Sequence, residues 1–234
     1  MVALGNFLFH HRNKLFPAFY LLLFVPSPTI TERVAVIMAV GFAVAAAGQA
    51  IRIGTIGLKY IIRGGRGRRV YADDLVTEGI FAHCRNPLYV GNILIVAGLG
   101  LMSNSLLFNL IATPLFVFMY VAIVSAEEAF LRGKFGAAYD AYARDVNRWL
   151  PRLAGLGETF ASMQFNWRQV LIREYTTTYI WLSAAVLLVM KNLAAVPDDR
   201  LFQDHWGWGV ALLAVLLLAY VVVRTLKIRR VITA

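Results

Sequence analysis

Long apolar runs alternate with short basic segments along most of the chain, and this pattern restricts the fold more than any other feature. Hydrophobic residues make up 59% of the 234 positions, and charged residues only 15%. A soluble globule of this size could not bury so much apolar surface. The pattern therefore predicts an all-α, polytopic membrane protein, in which a bundle of transmembrane helices satisfies its own backbone hydrogen bonds.

Six apolar runs are candidates for spans of a bilayer, which usually requires roughly 20 apolar residues. The first run is short and contains Pro17. The second is rich in glycine and alanine, which allow helices to approach closely. The third and fourth are joined by only Ser103, Asn104 and Ser105, so they are predicted to form a tight hairpin. The predicted spans are Lys14–Pro26, Val34–Ile53, Leu88–Met102, Leu106–Ala126, Thr176–Leu193 and Trp206–Val223.

The net charge of +10 is explained by orientation in a membrane rather than by nucleic-acid binding. If the N-terminus is cytoplasmic, 19 basic residues fall in inner segments and only Arg33, Lys191 and Arg200 in outer ones. The positive-inside rule expects this asymmetry. The basic run Arg63–Arg69 lacks the Gly-Lys-Ser/Thr ending of a phosphate-binding loop, and we expect it to contact anionic headgroups. The sequence thus predicts cytoplasmic termini, membrane lipids as partners and no nucleic-acid partner.

The same pattern divides the chain into four parts. Residues 1–33 hold the first span and a loop, and residues 34–151 hold the central spans with their polar connections. Residues 152–175 mix aromatic and polar side chains, which is typical of a helix that lies in the membrane interface. Residues 176–234 add two C-terminal spans. For these two spans a lateral substrate gate, a homodimer face and a structural addition are all compatible with the sequence.

Ionisable residues are predicted to meet on the inner side of the hairpin. Arg85 precedes the third span and Glu127–Glu128 follow the fourth, so the chain returns the glutamates to the side from which Arg85 departed. Such residues are costly at membrane depth and mark a functional site by default. Taken singly, each has a simpler explanation, because adjacent glutamates often end a helix and Arg85 is also compatible with one more inner-face charge.

The hairpin is uneven. The third span has about 15 residues and the fourth about 21, a difference of roughly 9 Å at ~1.5 Å per residue. Either the turn at Arg85 begins below the headgroups or the fourth span projects past them, and both alternatives predict a recess between the turn and the glutamates. A glutamate, an arginine and apolar helix walls would hold an amino group, a carboxylate and a flat base, and S-adenosylmethionine carries all three. No cysteine and histidine spacing indicates a metal site.

An ordered series of motifs resembles the isoprenylcysteine carboxyl methyltransferase family, which is related to the membrane phospholipid N-methyltransferases. The series begins with G-x-F-x-x-x-R-N-P-x-Y-x-G at Gly79–Gly91 and continues with Glu127–Glu128. It ends at spaced positions of the next segment, namely Leu131, Phe135, Gly136, Tyr139, Tyr142, Val146, Arg148 and Pro151. The likeness covers the chain from Gly48 to Pro151 and includes Gly48-x-x-x-Arg52 in the second span.

This resemblance implies an integral membrane enzyme that uses S-adenosyl-L-methionine without a metal, on the cytoplasmic side, and takes a lipophilic acceptor from the bilayer. It implies catalytic roles for Arg85 and Arg148. The acceptor would be an isoprenylcysteine-like carboxylate or another lipid-borne group, and the alternative is a catalytically silent scaffold or small transporter that keeps the fold. The cofactor-binding residues implied are Gly79, Arg85, Asn86, Pro87, Tyr89, Gly91, Glu127, Glu128, Tyr139 and Tyr142.

Three features depart from the family pattern. Asn86 replaces the usual histidine, Asp73 stands where many members carry a histidine, and a long segment with two spans follows Pro151. An amine or thiol acceptor must lose a proton, whereas a carboxylate acceptor needs no general base. Because His83 is the only histidine near the turn, and is expected to be a loop residue, we expect an acceptor that is anionic or readily deprotonated.

Overall fold

The structure is a computed structural model that describes residues 1–58, 70, 72–195 and 199–232, with the backbone alone for 199–202. The basic run 63–69 lies outside the described residues. In the described part of the chain every regular element is a helix, and the one β-bridge joins Thr29 to Ser105. The predicted all-α class is therefore confirmed.

Eight α-helices follow one another along the described chain. They are α1 (Val2–Tyr20), α2 (Val34–Leu58), α3 (Pro87–Met102), α4 (Thr113–Phe135), α5 (Ala137–Asp145), α6 (Leu156–Ser162), α7 (Trp167–Ala194) and α8 (Asp199–Ile228). Short 3-10 turns lie at Leu21–Phe24 and Gly79–Ala82, and a π-helical turn at Phe108–Ala112 leads into α4.

Four helices of the described chain are long and apolar enough to cross a membrane, namely Val34–Leu58, Phe108–Phe135, Trp167–Ala194 and Gln203–Ile228. The helix α3 is largely apolar but has 16 residues. The helix that includes the predicted fourth span continues to Phe135, well past Ala126. The helix α4 therefore extends beyond the predicted end of the fourth span.

The N-terminal helix differs from its prediction. It begins at Val2 and continues through Pro17, so the basic residues of positions 10–14 lie inside the helix rather than before it. The helix runs antiparallel to α4, because Gly5 lies against Ala122 while Phe16 lies against Phe116, with ring centroids 5.4 Å apart. The apolar face of α1 thereby packs on α4 from Phe116 to Ala126.

The helices α2 and α3 touch through glycines. A Cβ atom on Gly98 would lie 2.5 Å from the backbone oxygen of Gly41, and a Cβ atom on Gly48 would lie 2.6 Å from that of Gly91. Such distances leave no room for any side chain. The close approach that the small residues of the second span predict is confirmed, and it brings the polar side chains of both helices within reach of one another.

The helix α7 lies within the same bundle and is attached near both ends. At its C-terminal end Lys191 Nζ donates to the carbonyl oxygens of Leu23 and Ser103, at 3.1 and 3.0 Å, and Asn192 Nδ2 donates to that of Met102 at 2.8 Å. Nearer its N-terminal end Glu174 pairs with α2. These two attachments are separated by about 25 Å at ~1.5 Å per residue, which is close to the thickness of a hydrocarbon core.

The attachment of α7 to α2 is a buried ion pair. Arg52 donates from Nε and Nη2 to the two oxygens of Glu174, each at 2.8 Å, and the two side chains are 2% exposed. Arg52 Nη1 also donates to the Leu88 carbonyl at 3.3 Å and to the Asn92 side chain. Gln49 completes the network, because it donates to Glu174. The network joins α2, α3 and α7 at membrane depth.

The predicted interfacial segment 152–175 is divided in the structure. Only Leu156–Ser162 forms a separate helix, and residues 167–175 belong to α7. The aromatic rings of Phe160 and Phe165 lie against Gly54 and Gly57, so the segment covers the inner end of α2. The helix α8 packs along α7.

Replacement of Arg52 by alanine is expected to destabilise the fold by about 3–5 kcal/mol, because it leaves the Glu174 carboxylate buried without its partner. Thermal unfolding of the purified protein in detergent would measure the loss. The exposed Arg33, replaced by alanine, is the matched control and should change the stability by less than about 0.5 kcal/mol. Equal unfolding temperatures for the two variants would contradict the assigned role of the network.

Candidate functional site

The turn before α3 presents Arg85 and Asn86 to Glu128 in the C-terminal half of α4. Gly79 has a φ of 63°, a conformation that glycine adopts without strain, and it starts the 3-10 turn at Gly79–Ala82. Pro87 occupies the first position of α3, where its missing N–H costs no hydrogen bond. The motif residues thus form the helix start that the sequence predicts.

The carboxylate of Glu128 lies at the centre of a buried cluster. Arg85 Nε and Asn86 Nδ2 donate to one of its oxygens, at 3.1 and 3.2 Å, and Arg148 Nη2 donates to the other. The side chain of Glu128 is 4% exposed, that of Arg85 13% and that of Arg148 39%. The predicted meeting of Arg85 with the glutamates therefore occurs, but as direct contact with Glu128 rather than across a recess.

Arg85 also holds the segment that follows α5. Its Nη1 donates to the carbonyl oxygens of Ala143 and Val146, at 2.6 and 2.7 Å, and its backbone N–H donates to that of Asn147 at 2.9 Å. A cation at the C-terminal end of a helix is favourable, because the last carbonyl groups are otherwise unpaired. Arg85 thereby fixes the backbone next to Arg148.

The second glutamate has a different partner. Tyr89 donates its hydroxyl to one oxygen of Glu127 at 2.6 Å, and both side chains are half-buried. Adjacent residues of an α-helix point about 100° apart, so Glu127 and Glu128 face different neighbours. Glu127 is therefore the less buried carboxylate of the pair, and its hydrogen bond comes from Tyr89 rather than from the arginine cluster.

Two tyrosines of α5 lie near the cluster around Glu128. Tyr142 donates to the Phe81 carbonyl at 2.8 Å, and burial raises the pKa of its hydroxyl. Tyr139 is buried with its hydroxyl unpaired in the described structure, and burial raises its pKa to about 12. A buried hydroxyl without a partner is costly. It is therefore a group with which a bound ligand can pair.

Two predicted site residues have contacts within the protein. Gly91 faces α2, where a Cβ atom would lie 2.5 Å from Arg52 Cγ. Asn86 donates to the Arg148 carbonyl at 3.2 Å in addition to Glu128. The cofactor-binding roles implied for these residues, and for Pro87 and Gly79, remain predictions.

His83 is buried and both of its ring nitrogens have partners. Nδ1 donates to the Arg152 carbonyl at 2.7 Å, and Nε2 accepts from the Thr159 hydroxyl at 2.8 Å. The neighbouring Cys84 is also buried, and burial raises the pKa of its thiol. Because both residues are enclosed, His83 attaches α6 to the turn and is not available as a general base.

Sequence reasoning missed Glu174 and Asn92. Both belong to the Arg52 network, which contacts the first turns of α3. The ionisable residue at position 174 was a detectable signal, since such residues are rare in apolar helices. Its partner lies 122 residues earlier in the chain, and no local pattern connects the two.

Part of the chain is similar to known proteins. Residues 34–138 match the phospholipid methyltransferase family. The cobalt-zinc-cadmium resistance protein CzcN of Cupriavidus metallidurans is 40% identical over 80 residues, which are 34% of this chain and 37% of CzcN. The nickel-cobalt-cadmium resistance protein NccN of Alcaligenes xylosoxydans xylosoxydans is 38% identical over 81 residues, 35% of this chain and 38% of NccN.

A methyltransferase is also among the similar proteins. The protein-S-isoprenylcysteine O-methyltransferase of Schizosaccharomyces pombe is 36% identical over 81 residues, 33% of each chain. No solved structure matches the chain significantly. The chain spans little more than a third of the length of the curated relatives it matches. Residues 34–138, somewhat less than half of the chain, are similar to the phospholipid methyltransferase family, and the predicted resemblance to isoprenylcysteine carboxyl methyltransferases is confirmed.

Replacement of Glu128 by glutamine is expected to destabilise the fold by at least about 2 kcal/mol, because Arg85 and Arg148 then face no carboxylate. The same change at Glu127 should cost less than about 1 kcal/mol, since this side chain has no ion pair to lose and keeps its hydrogen bond with Tyr89. Thermal unfolding of the two variants under one set of conditions measures the difference. A larger loss for the Glu127 variant would contradict the division of roles between the two glutamates.

Proposed function

We propose that the chain is an S-adenosylmethionine-dependent methyltransferase embedded in a membrane, and that it transfers a methyl group to a lipophilic acceptor entering from the bilayer. One observation carries the proposal: the Glu127–Tyr89 pair and the Arg85–Glu128–Arg148 cluster lie at one end of the α3–α4 hairpin. Most of these residues lie within the region that matches the phospholipid methyltransferase family.

The available groups fit this cofactor. S-adenosylmethionine supplies a methyl group on a positively charged sulfur, together with an amino group, a carboxylate and an adenine base. Glu127 retains capacity for a cationic group, and the partly exposed Arg148 for a carboxylate. The unpaired hydroxyl of Tyr139 adds a hydrogen-bonding group nearby. The residues present therefore match the charges and polarity of the proposed cofactor.

The proposed reaction requires alignment and exclusion of water more than proton transfer. The Tyr89 hydroxyl holds the Glu127 carboxylate in one orientation, and the cluster around Glu128 fixes the turn next to it. Charges of opposite sign attract strongly in a site of low dielectric constant. Because His83 is engaged at both nitrogens, we favour an acceptor that is already anionic. The isoprenylcysteine methyltransferase among the relatives makes a lipid-borne carboxylate the first acceptor to test.

The proposal includes six spans with cytoplasmic termini. Beyond the four long apolar helices, α1 with its following turn and α3 would be the remaining spans. The helix α1 supports this topology, because Gly5 lies at the inner end of α4 and Ser27 bonds with Ser105 at the outer end, at 2.7 Å. The excess of basic residues in the inner segments supports a cytoplasmic site. A homodimer through the apolar surface of α8 belongs to the same proposal.

Calorimetric titration of the purified protein with S-adenosylmethionine tests the cofactor. We expect binding by the wild type and at least tenfold weaker binding by the Glu127→Gln variant, because a carboxylate that can face the cation is lost. Glu158→Gln removes an exposed carboxylate of α6 and is the matched control. Equal affinity for all three proteins would contradict the assignment of Glu127.

The alternative is a catalytically silent scaffold or small transporter that keeps the fold. A wild-type protein that binds no S-adenosylmethionine would favour it. Membranes that contain or lack the protein, incubated with S-adenosylmethionine labelled at its methyl group, would identify the acceptor by the labelled lipid product. Absence of any labelled product despite cofactor binding would also favour a catalytically silent protein.

A further inference from the structure

The N-terminal helix lies outside residues 34–138, which match the family, yet it contacts the helix that carries Glu127. A Cβ atom on Gly5 would lie 2.0 Å from the Ala122 carbonyl oxygen, and the Phe16 ring centroid lies 5.2 Å from that of Tyr120. Arg12 lies seven residues after Gly5 and four before Phe16. On an α-helix these positions share one face, so Arg12 belongs to the stripe that packs on α4.

The side chain of Arg12 is directed toward the candidate site. Its guanidinium carbon lies 4.2 Å from the ring centroid of Phe9, one turn nearer the N-terminus of α1. Because α1 and α4 are antiparallel, this direction leads toward the inner end of α4. Tyr89 and Glu127 lie there, and the charge of Arg12 acts electrostatically on both. All three side chains are half-buried and remain accessible to a ligand.

Arg12 differs from the other arginines of the site in having no carboxylate partner. In the part of the chain that the structure describes, the ion pairs are Arg52–Glu174, Arg85–Glu128, Arg132–Asp140 and Arg148–Glu128. A half-buried guanidinium without a direct ion pair is costly at membrane depth, where such residues face a partner or a watery cavity. Glu127 acts on Arg12 without forming an ion pair with it, so an anionic group from outside the chain would supply the direct partner.

The depth of Arg12 indicates which molecule brings that group. Arg12 follows Leu8 and Phe9, which are buried in the apolar core, and precedes Phe16, which packs on Phe116. Arg85 and Arg148 lie beside Glu128 near the polar segment that follows α5. Arg148 is 39% exposed, whereas Arg12 is half-buried on the face of α1 that packs against α4, so an apolar tail on the anion would contact the apolar residues around Arg12.

We propose that Arg12 binds the oxyanion of a lipophilic molecule, a carboxylate or phosphate on an acyl-chain-sized tail, next to the Glu127–Tyr89 pair. The identification of this molecule as the methyl acceptor rests on the proposed function, whereas the proposal that Arg12 binds it does not. A guanidinium forms paired hydrogen bonds with either oxyanion. The N-terminal helix thereby supplies a specificity-determining residue from outside the family region.

Binding of three radiolabelled amphiphiles with equal tails tests the proposal, with the full chain in nanodiscs of neutral lipid. The probes are hexadecanoate, hexadecyl phosphate and the uncharged hexadecanamide. We expect the wild type to bind at least one of the two anions tenfold or more tightly than the amide, and the better anion identifies the source of the oxyanion. Arg12→Gln should remove this preference, and Arg12→Lys should retain part of it.

Lys14→Gln is the matched control, because it removes one exposed positive charge from the same helix and should keep the full preference. Titration with S-adenosylmethionine in parallel should give an affinity for Arg12→Gln at least equal to that of the wild type, because no positive charge then repels the cationic cofactor. The inference fails if Arg12→Gln keeps the anion preference, if Lys14→Gln loses it equally, or if Arg12→Gln weakens cofactor binding. A wild type that binds the anions through Arg12 but no S-adenosylmethionine would refute the proposed function and support the oxyanion site.

Discussion

The geometry of the candidate site depends on the buried carboxylate of Glu128. A carboxylate at this depth is stable only when its oxygens are paired, and its donors come from the turn before α3 and from the segment after α5. One residue therefore joins three parts of the chain. Because Arg85 also pairs the last carbonyl groups of α5, the cluster determines where Tyr139, Tyr142 and Arg148 lie.

A second buried ion pair supports the first. Arg52 joins α2 to α7 through Glu174 and also holds the Leu88 carbonyl and Asn92 in the first turns of α3. The start of α3 is thus held from one side by the Glu128 cluster and from the other by Arg52. The contacts of Lys191 attach the C-terminal end of α7 to the bundle. The helix α7 is therefore part of the bundle that supports the site.

The sequence predicted the main features of the site, and its errors have a common cause. The sequence correctly predicted that the tight hairpin brings the glutamates back to Arg85, because a three-residue connection permits no other arrangement. The prediction of a recess between Arg85 and both glutamates was wrong for Glu128, because Glu128 contacts Arg85 directly. The rotation of about 100° between neighbouring helical residues separates Glu127 from Glu128, and only the orientation of α4 decides which one faces the turn.

By itself, the amino-acid sequence determined the all-helical class, the motif at Gly79–Gly91 and the family region, since apolar content and short motifs are local properties of the chain. Only the tertiary structure decided which charges pair, that α1 covers α4 with Arg12 on the contact face, and that Glu174 faces Arg52. These contacts join residues far apart in sequence. They depend on the rotation and crossing of packed helices, which no local pattern encodes.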